Sequence, residues 1–574
     1  MDYLFLYSPI FCMELSPLIG IPTLLGILDD KGYQSEIFDL NQKYNNYFFK
    51  ENSIESFIKT YRENESSLKK ENKLLEKTNF IKDNINFYTK VLKDKKLFYD
   101  SILYHNASLS LIKLLFIHQK KIEQHFFSFQ QKTYSIDIDD LFSYFDTNLK
   151  QLKEFYESCI PTIQAKNPKC IGITINRVTQ LISGLYIAYL LKKNTNAHIN
   201  IGGEFFTVNH SRIQNLSTLF GVFFDSISIN DNTVTVVKLM EYLNGEIDIY
   251  KIPNFIHMDN GKIIVNESTE TIPINKLPVI SFNGYEKEDY FVPEFVIPLK
   301  TSSSCYWKKC IFCTCSAKNE EYICKPVEKV VEEIEYLSKK YSTKYFIFWD
   351  NAMHPKYMEQ MTNLILEKNL DISYSIYARL ENEFTETLLK KMKKSGCTQI
   401  YWGLDAVSPS VLEYIQKGID IKNVNRILKD SANSGIYNNV YIILGHPTET
   451  VEDIKKTFAF LSKNKNFIEH LLVIPNVLFL DGSKLYEEKE KYSCLIKTTG
   501  EQRYKLKLEI EKRSNNSTNA ALFELNACGL LYTSKYSISS FHWIIRLSFF
   551  FFKNQLCYKL YISLCKTYIK FFNL

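Results

Sequence analysis

Short apolar runs recur along this chain, each followed by a helix-length amphipathic segment, in two separate series. That alternation restricts the fold more than any other feature, because strands in register with intervening helices build parallel α/β sheets. The first series has strand candidates at Tyr3–Ser8, Ser35–Leu40, Cys170–Ile175, His198–Gly203 and Phe224–Ile229. Helices fit at Pro17–Asp30, Leu181–Leu191, near Ile213–Phe220, and at Thr233–Leu243. A doubly wound, Rossmann-like sheet follows, with its ligand edge beyond the carboxyl ends of the strands. The second series offers Val296–Lys300, Tyr345–Trp349, Ile372–Ala378, Gln399–Leu404, Val440–Leu444 and Leu471–Val477. Helices at Val327–Tyr341, Thr385–Lys394, Pro409–Gln416 and Val451–Lys463 fit between them. Six successive strand–helix units predict a partial or complete parallel barrel, with chemistry at the carboxyl ends of its strands.

The text between the series sets the boundaries. Residues 1–245 form the first domain, with a Lys-, Glu-, Asn- and aromatic-rich helical insertion at about 42–167. A linker at 246–294 holds a hairpin, Asn254–Val265, turning at Asp259-Asn260-Gly261. Residues 295–485 form the barrel, and 486–574 a mainly helical C-terminal region.

With 45% hydrophobic and 23% charged residues, the 574-residue chain is neither disordered nor a polytopic membrane protein. A net charge of +6, from 70 Lys and Arg against 64 Asp and Glu, is too mild to argue for nucleic acid. Met1–Leu6 has no basic leader and reads as a strand, so the expectation is a cytoplasmic protein. The apolar tail is broken by Arg546, Lys553, Lys559, Lys566 and Lys570, too often for a spanning helix. Packing of Phe541–Leu574 on its own protein is favoured over its lying on an anionic membrane surface.

Thirteen cysteines are too scattered for a disulfide scaffold. However, Cys305, Cys310 and Cys313 crowd the loop after the first barrel strand, where active-site loops sit. Soft thiolates select iron–sulfur clusters or zinc. Three on one loop can ligate three irons of a cubane and leave the fourth open. Structural zinc wants four ligands, which Cys315 or Cys324 would have to complete. A ferredoxin-like carrier needs a fourth close cysteine and has little use for a barrel.

At this loop the chain resembles the radical S-adenosylmethionine (SAM) superfamily, in its branch with an N-terminal cobalamin-binding domain. "TSSSCYWKKCIFC" looks like the C-Y-W-x-x-C-x-F-C variant, with four residues between the first two cysteines where the usual signature has three. The resemblance continues in order through "FIFWDNAMHP", "IYARLENEF", "IYWGLDAVSPSVLEYIQKG", "VYIILGHPTET" and "FLDGSKLYE". It implies a [4Fe–4S] cluster on the three cysteines and SAM held near Phe312, Asp350, Arg379, Asp405 and Gly445. Asp350 would meet the SAM amino group; its alternative is a turn-capping aspartate. Arg379 would hold a carboxylate, or else a salt bridge across the barrel mouth. Asp405 stands where the family has Glu, and Ala406-Val407 where it has Ser-Gly, which loosens the link to the SAM ribose.

The opening segment and "INIGGEFFT" look like the branch's cobalamin-binding domain. Gly202 and Gly203 would let the chain pass close to the cofactor's nucleotide tail, or simply form a strand-to-helix turn. The D-x-H-x-x-G loop is absent, so cobalamin binds without a protein histidine or the domain is a scaffold that has lost it. The resemblance implies C–H modification by a 5′-deoxyadenosyl radical, including methyl transfer, fed by flavodoxin or ferredoxin. The helical insertion and cysteine variant resemble enzymes maturing ribosomally made peptides, which makes a peptide the preferred substrate. A small natural product or lipid is second, and a non-catalytic metal-binding scaffold is the reading from another class.

Overall fold

A computed structural model describes residues 1–10, 12–64, 69–132, 138–208, 216–316, 321–474, 477 and 482–488. The chain divides into two compact units, Met1–Glu294 and Phe295–Leu574.

In the first unit β1 (Tyr3–Tyr7) lies between β2 (Ser35–Phe38) and β3 (Cys170–Thr174). The parallel sheet continues through β4 (His198–Gly202) and β5 (Ser226–Ser228). Every residue of β1 is buried, because a central parallel strand is covered on both faces and has no polar side to alternate. The order β2-β1-β3-β4-β5 reverses direction between β1 and β3, and such a reversal opens a crevice at the strands' carboxyl ends.

The hairpin expected at 254–265 is present as β6 (Phe255–Asp259) and β7 (Lys262–Asn266). Asn260 (φ 46°) and Gly261 (φ 75°) are both left-handed, as a two-residue hairpin turn requires. Residues 246–294 are not a free connector, however. β6 pairs antiparallel with β5 and extends the sheet, while the Ile37 amide donates to the Asn283 carbonyl (3.0 Å) and the Ser281 amide to that of Pro22 (3.0 Å). The insertion is helical, from Leu40–Phe48 to Lys150–Lys166, and buries an aromatic cluster in which Tyr44 and His118 share a 2.9 Å hydrogen bond.

The second unit is a sequential parallel sheet of β8 (Val296–Leu299), β9 (Tyr345–Phe348), β10 (Ser373–Ala378), β11 (Cys397–Asp405), β12 (Tyr437–Ile443) and β13 (His470–Ile474). Among the described residues β8 and β13 do not pair, so the barrel is partial. Ile400, Trp402 and Leu404 alternate toward the helices, where Trp402 packs on Phe384 and its indole donates to Asn438 (2.7 Å). Gln399, Tyr401 and Gly403 therefore face inward. Helix starts are chemically marked. Thr450 and Asp453 form a reciprocal capping box, and Ser408 precedes Pro409 at a first helical position.

The helix near Ile213–Phe220 falls partly, and the helical region expected at 486–574 almost wholly, outside the described residues. Among those described, no helix is long and apolar enough to cross a membrane.

Candidate functional site

The cysteine loop starts where β8 ends, and Asp350, just past β9, fastens it. Both backbone amides and both hydroxyls of Thr301 and Ser302 donate to the Asp350 carboxylate, over 2.5–3.1 Å. Burial pushes this carboxyl above the ordinary aspartate range, against the pull of those donors. The expected SAM-amine ligand is thus engaged as the loop's clamp. Next to it, Asn351 donates to the Ser304 carbonyl (2.9 Å) and to the Cys315 sulfur (3.3 Å). Ser304 (φ 52°) and Lys308 (φ 51°) take left-handed turns that fold the loop back.

The loop's other face rests on the turn Ile415–Gly418, after the helix Pro409–Tyr414. The Ile311 amide donates to the Ile415 carbonyl (3.2 Å) and the Trp307 indole to that of Gln416 (2.8 Å). A Cβ at Gly418 (φ 67°) would lie 2.0 Å from the Trp307 ring, so only glycine lets the indole seat. On the indole lies Arg379, its guanidinium carbon 4.1 Å from the ring centroid. Arg379 also donates to Glu381 (2.9 Å) and to the Lys417 carbonyl (2.6 Å). It therefore pairs with a carboxylate two residues along the chain while lying against the indole of the cysteine loop.

Asp405 sits in a left-handed conformation (φ 63°) at an irregularity of β11, and its carboxylate pairs with the Lys417 ammonium. Both side chains are buried. Burial alone would lower the Lys417 ammonium; Asp405 and the nearby Cys310 outweigh it and raise it. Lys417, Trp307, Glu381 and Gly418 lie inside the matching motifs, but nothing in the motifs marks these roles. No local signal marks Lys417, because its partner is set by the tertiary fold.

Cys305, Cys310 and Cys313 are free and partly exposed on this scaffold. Burial raises the Cys310 thiol, while a hydrogen bond from Cys315 brings Cys313 down to about 6. Cys315, two residues further on, touches the site through that bond. Among the described residues no three Cys, His, Asp or Glu side chains converge on a single metal ion. Phe312 packs among Ala406, Leu412, Ile443 and Val477, its ring 5.8 Å from His446. Gly445 (φ 75°) closes the turn after β12, its amide donating to Glu449.

In the first unit a cavity opens at the β1/β3 crevice. Tyr3, Phe5 and Tyr7 form its apolar side, Gly172, Thr174, Asn200 and Ser228 a floor of small residues, and Glu14 and Asn232 its polar points. Gly202 and Gly203 line it. Their glycine character has a local cause, because a Cβ at Gly203 (φ 113°) would meet the Ile175 carbonyl at 2.4 Å. The strand-to-helix turn explains that glycine, and the cavity lies beside it. Burial pushes the Glu14 carboxyl up to about 8.

Residues 299–461 match the Radical SAM superfamily. Among curated relatives, an uncharacterized methyltransferase of Pyrococcus horikoshii is 27% identical over 340 residues, covering 57% of this chain and 70% of its own. The bacteriochlorophyllide d C-8(2)-methyltransferase of Chlorobaculum tepidum is 24% identical, over 36% of this chain and 50% of its own. Among solved structures, the radical SAM methyltransferase TsrM from Kitasatospora setae, with cobalamin and a [4Fe–4S] cluster bound, superposes with a TM-score of 0.52. At 14% identity, over 84% of this chain and 74% of that one, the likeness is one of fold. Fold and motif together define a radical SAM domain. Residues 299–461 are thus a radical SAM domain, which makes the chain an enzyme, and the fold is one in which a doubly wound unit precedes the barrel.

Proposed function

We propose that this chain is a cobalamin-dependent radical SAM methyltransferase whose cluster is held by Cys305, Cys310 and Cys313. The observation that carries the reading is the loop itself. Three free thiols stand on a segment clamped by Asp350 on one side and by the Ile415–Gly418 turn on the other. Bound there, a [4Fe–4S] cluster supplies the electron that cleaves SAM to methionine and a 5′-deoxyadenosyl radical. The protein's part is to bind, orient and exclude water. Phe312 offers an apolar surface for an adenine. Arg379 and the Lys417–Asp405 pair give the barrel mouth fixed charges for the amino-acid end of SAM. The first unit's cavity fits the flat base and the amides of a cobalamin tail through its tyrosine wall and its Glu14 and Asn232 oxygens. Cobalamin bound there supplies a transferable methyl group. The substrate is a peptide or a small natural product, and a flavodoxin or ferredoxin is the electron donor. The methyltransferase relatives support the group transferred.

Anaerobic reconstitution with iron and sulfide tests the proposal. Wild type should hold close to four irons per chain and release 5′-deoxyadenosine from SAM under a reductant. The Cys305→Ala/Cys310→Ala/Cys313→Ala variant should do neither, and retention of iron and SAM cleavage by it would overturn the ligand assignment. Hydroxocobalamin added to wild type should co-elute with the protein. A chain that never retains it is a radical SAM enzyme whose first unit is only a scaffold.

A further inference from the structure

We propose that Glu14 is the hydrogen-bond donor by which the first unit's cavity holds a neutral acceptor of its ligand, an amide carbonyl or an aromatic nitrogen. This rests on the cobalamin reading of the first unit and assigns a residue to the recognition. Glu14 is 4% exposed and lines the cavity. The segment that carries it is fixed from behind by amides of the helix Leu40–Phe48. Asn41 Oδ1 accepts from the Ile10 amide (3.0 Å), Asn45 Nδ2 donates to the Cys12 carbonyl (3.0 Å), and Gln42 Nε2 donates to the Glu14 carbonyl (2.7 Å). From β1, the Tyr7 hydroxyl donates to Glu14 Oε1 (3.2 Å). Among the described residues that is the side chain's one hydrogen bond, so Oε2 is uncommitted.

The surroundings decide which form of that carboxyl the cavity presents. None of the residues lining the cavity is basic, and a second carboxyl, Asp39, stands there too. Asp39 accepts from the Gln42 amide at the start of a helix (3.0 Å) and from the Tyr290 hydroxyl (3.0 Å). Those donors favour its charged form, and although burial raises it, it gives up its proton at about 6. Glu14 has one donor, no ion pair among the described residues, and Asp39 as a like charge. Arg177 pulls the other way through space, but burial outweighs it and pushes the Glu14 carboxyl up to about 8. At neutral pH Glu14 is therefore a carboxylic acid, which adds an O–H donor to its accepting oxygens. With Tyr7 on Oε1, a proton on Oε2 is left for the ligand. A phosphate or carboxylate would meet two carboxyls and no counter-charge, whereas an uncharged acceptor meets a donor. The other groups acting on Glu14 keep their charge through the range in which it titrates. Burial holds Tyr7, Tyr285 and Tyr290 well above the ordinary tyrosine value, Asp39 is already ionised, and Arg177 is raised by its acidic neighbours.

Equilibrium dialysis of methylcobalamin against the reconstituted full-length protein, in the dark, decides this. Wild-type Kd should rise about tenfold from about pH 7 to about pH 9, because only the protonated fraction binds. Glu14→Gln, whose amide donates at every pH, should bind nearly as wild type does at neutral pH and show no such rise. Glu14→Ala should bind about tenfold more weakly at neutral pH and lose the pH dependence as well. Circular dichroism at each pH checks that the samples compared are folded. Should Glu14→Ala not fold, the wild-type and Glu14→Gln profiles decide by themselves. Methylcobinamide, which lacks the nucleotide tail, locates the acceptor. A difference between wild type and Glu14→Ala that persists with it puts the acceptor on the corrin amides, and one that vanishes puts it on the tail. A wild-type Kd that does not move with pH, a rise that survives in Glu14→Gln, or undiminished binding by folded Glu14→Ala would overturn the proposal. Wild type that binds no methylcobalamin at either pH overturns the cobalamin reading and the proposal with it. Iron content and 5′-deoxyadenosine release from the same sample report on the radical SAM reading separately.

Discussion

At the scale of single residues, the site is built by side chains that hold one another. Lys417 and Asp405 are both buried, so each is tolerated only through the other. Removing one partner of such a pair strands the other charge, at a typical cost of about 3–5 kcal/mol. Lys417→Met should therefore destabilise the second unit by that order in urea unfolding. Lys417→Met/Asp405→Asn should recover most of the loss, because no bare charge remains. Two single losses that simply added would show that the pair is not coupled. Asp350 illustrates the same economy of contacts. A carboxylate receiving four donors from the loop it faces is engaged before any ligand arrives.

At the scale of elements, the turn Ile415–Gly418 is what the cysteine loop stands on. Gly418→Ala places a side chain in a left-handed conformation, about 1–2 kcal/mol by itself, and drives into the Trp307 ring. The expected outcome is a lower thermal midpoint together with fewer irons per chain after reconstitution. An alanine variant that loads iron as wild type does would separate the turn from the loop. The strands were legible in the sequence because buried parallel strands read as apolar runs. β1, β3, β4, β9 and β10 begin and end within a residue or two of where the runs do. The hairpin was legible from Asn260-Gly261, whose chemistry allows little else. Its membership in the first sheet was not, because edge pairing depends on which strand lies beside it and leaves no local mark. The three cysteines could be seen from spacing alone. Lys417 could not, since a lysine after a helix is ordinarily solvated, and only the tertiary fold brings it to Asp405 across the end of β11.

At the scale of the whole molecule, the two units carry different chemical sensitivities. Glu14 in the first unit is raised by burial from an ordinary 4.5 to about 8. Between those values the folded chain keeps a proton that the unfolded chain has released, so stability present below about pH 4.5 is lost as pH rises toward 8. The slope for one such group is at most about 1.4 kcal/mol per pH unit. The Tyr7 hydroxyl donates to Glu14 (3.2 Å), and Glu14→Gln, which stays neutral and can still accept from it, should flatten that decline in urea titrations followed by circular dichroism. An unchanged slope would show that Glu14 is not its source. All 4 tryptophans, Trp307, Trp349, Trp402 and Trp543, come after residue 294, where the first unit ends. Indole fluorescence is thus blind to the N-terminal half and reports only on the C-terminal half. Comparing emission with the backbone signal in a single melt would show which half gives way first, with no label attached.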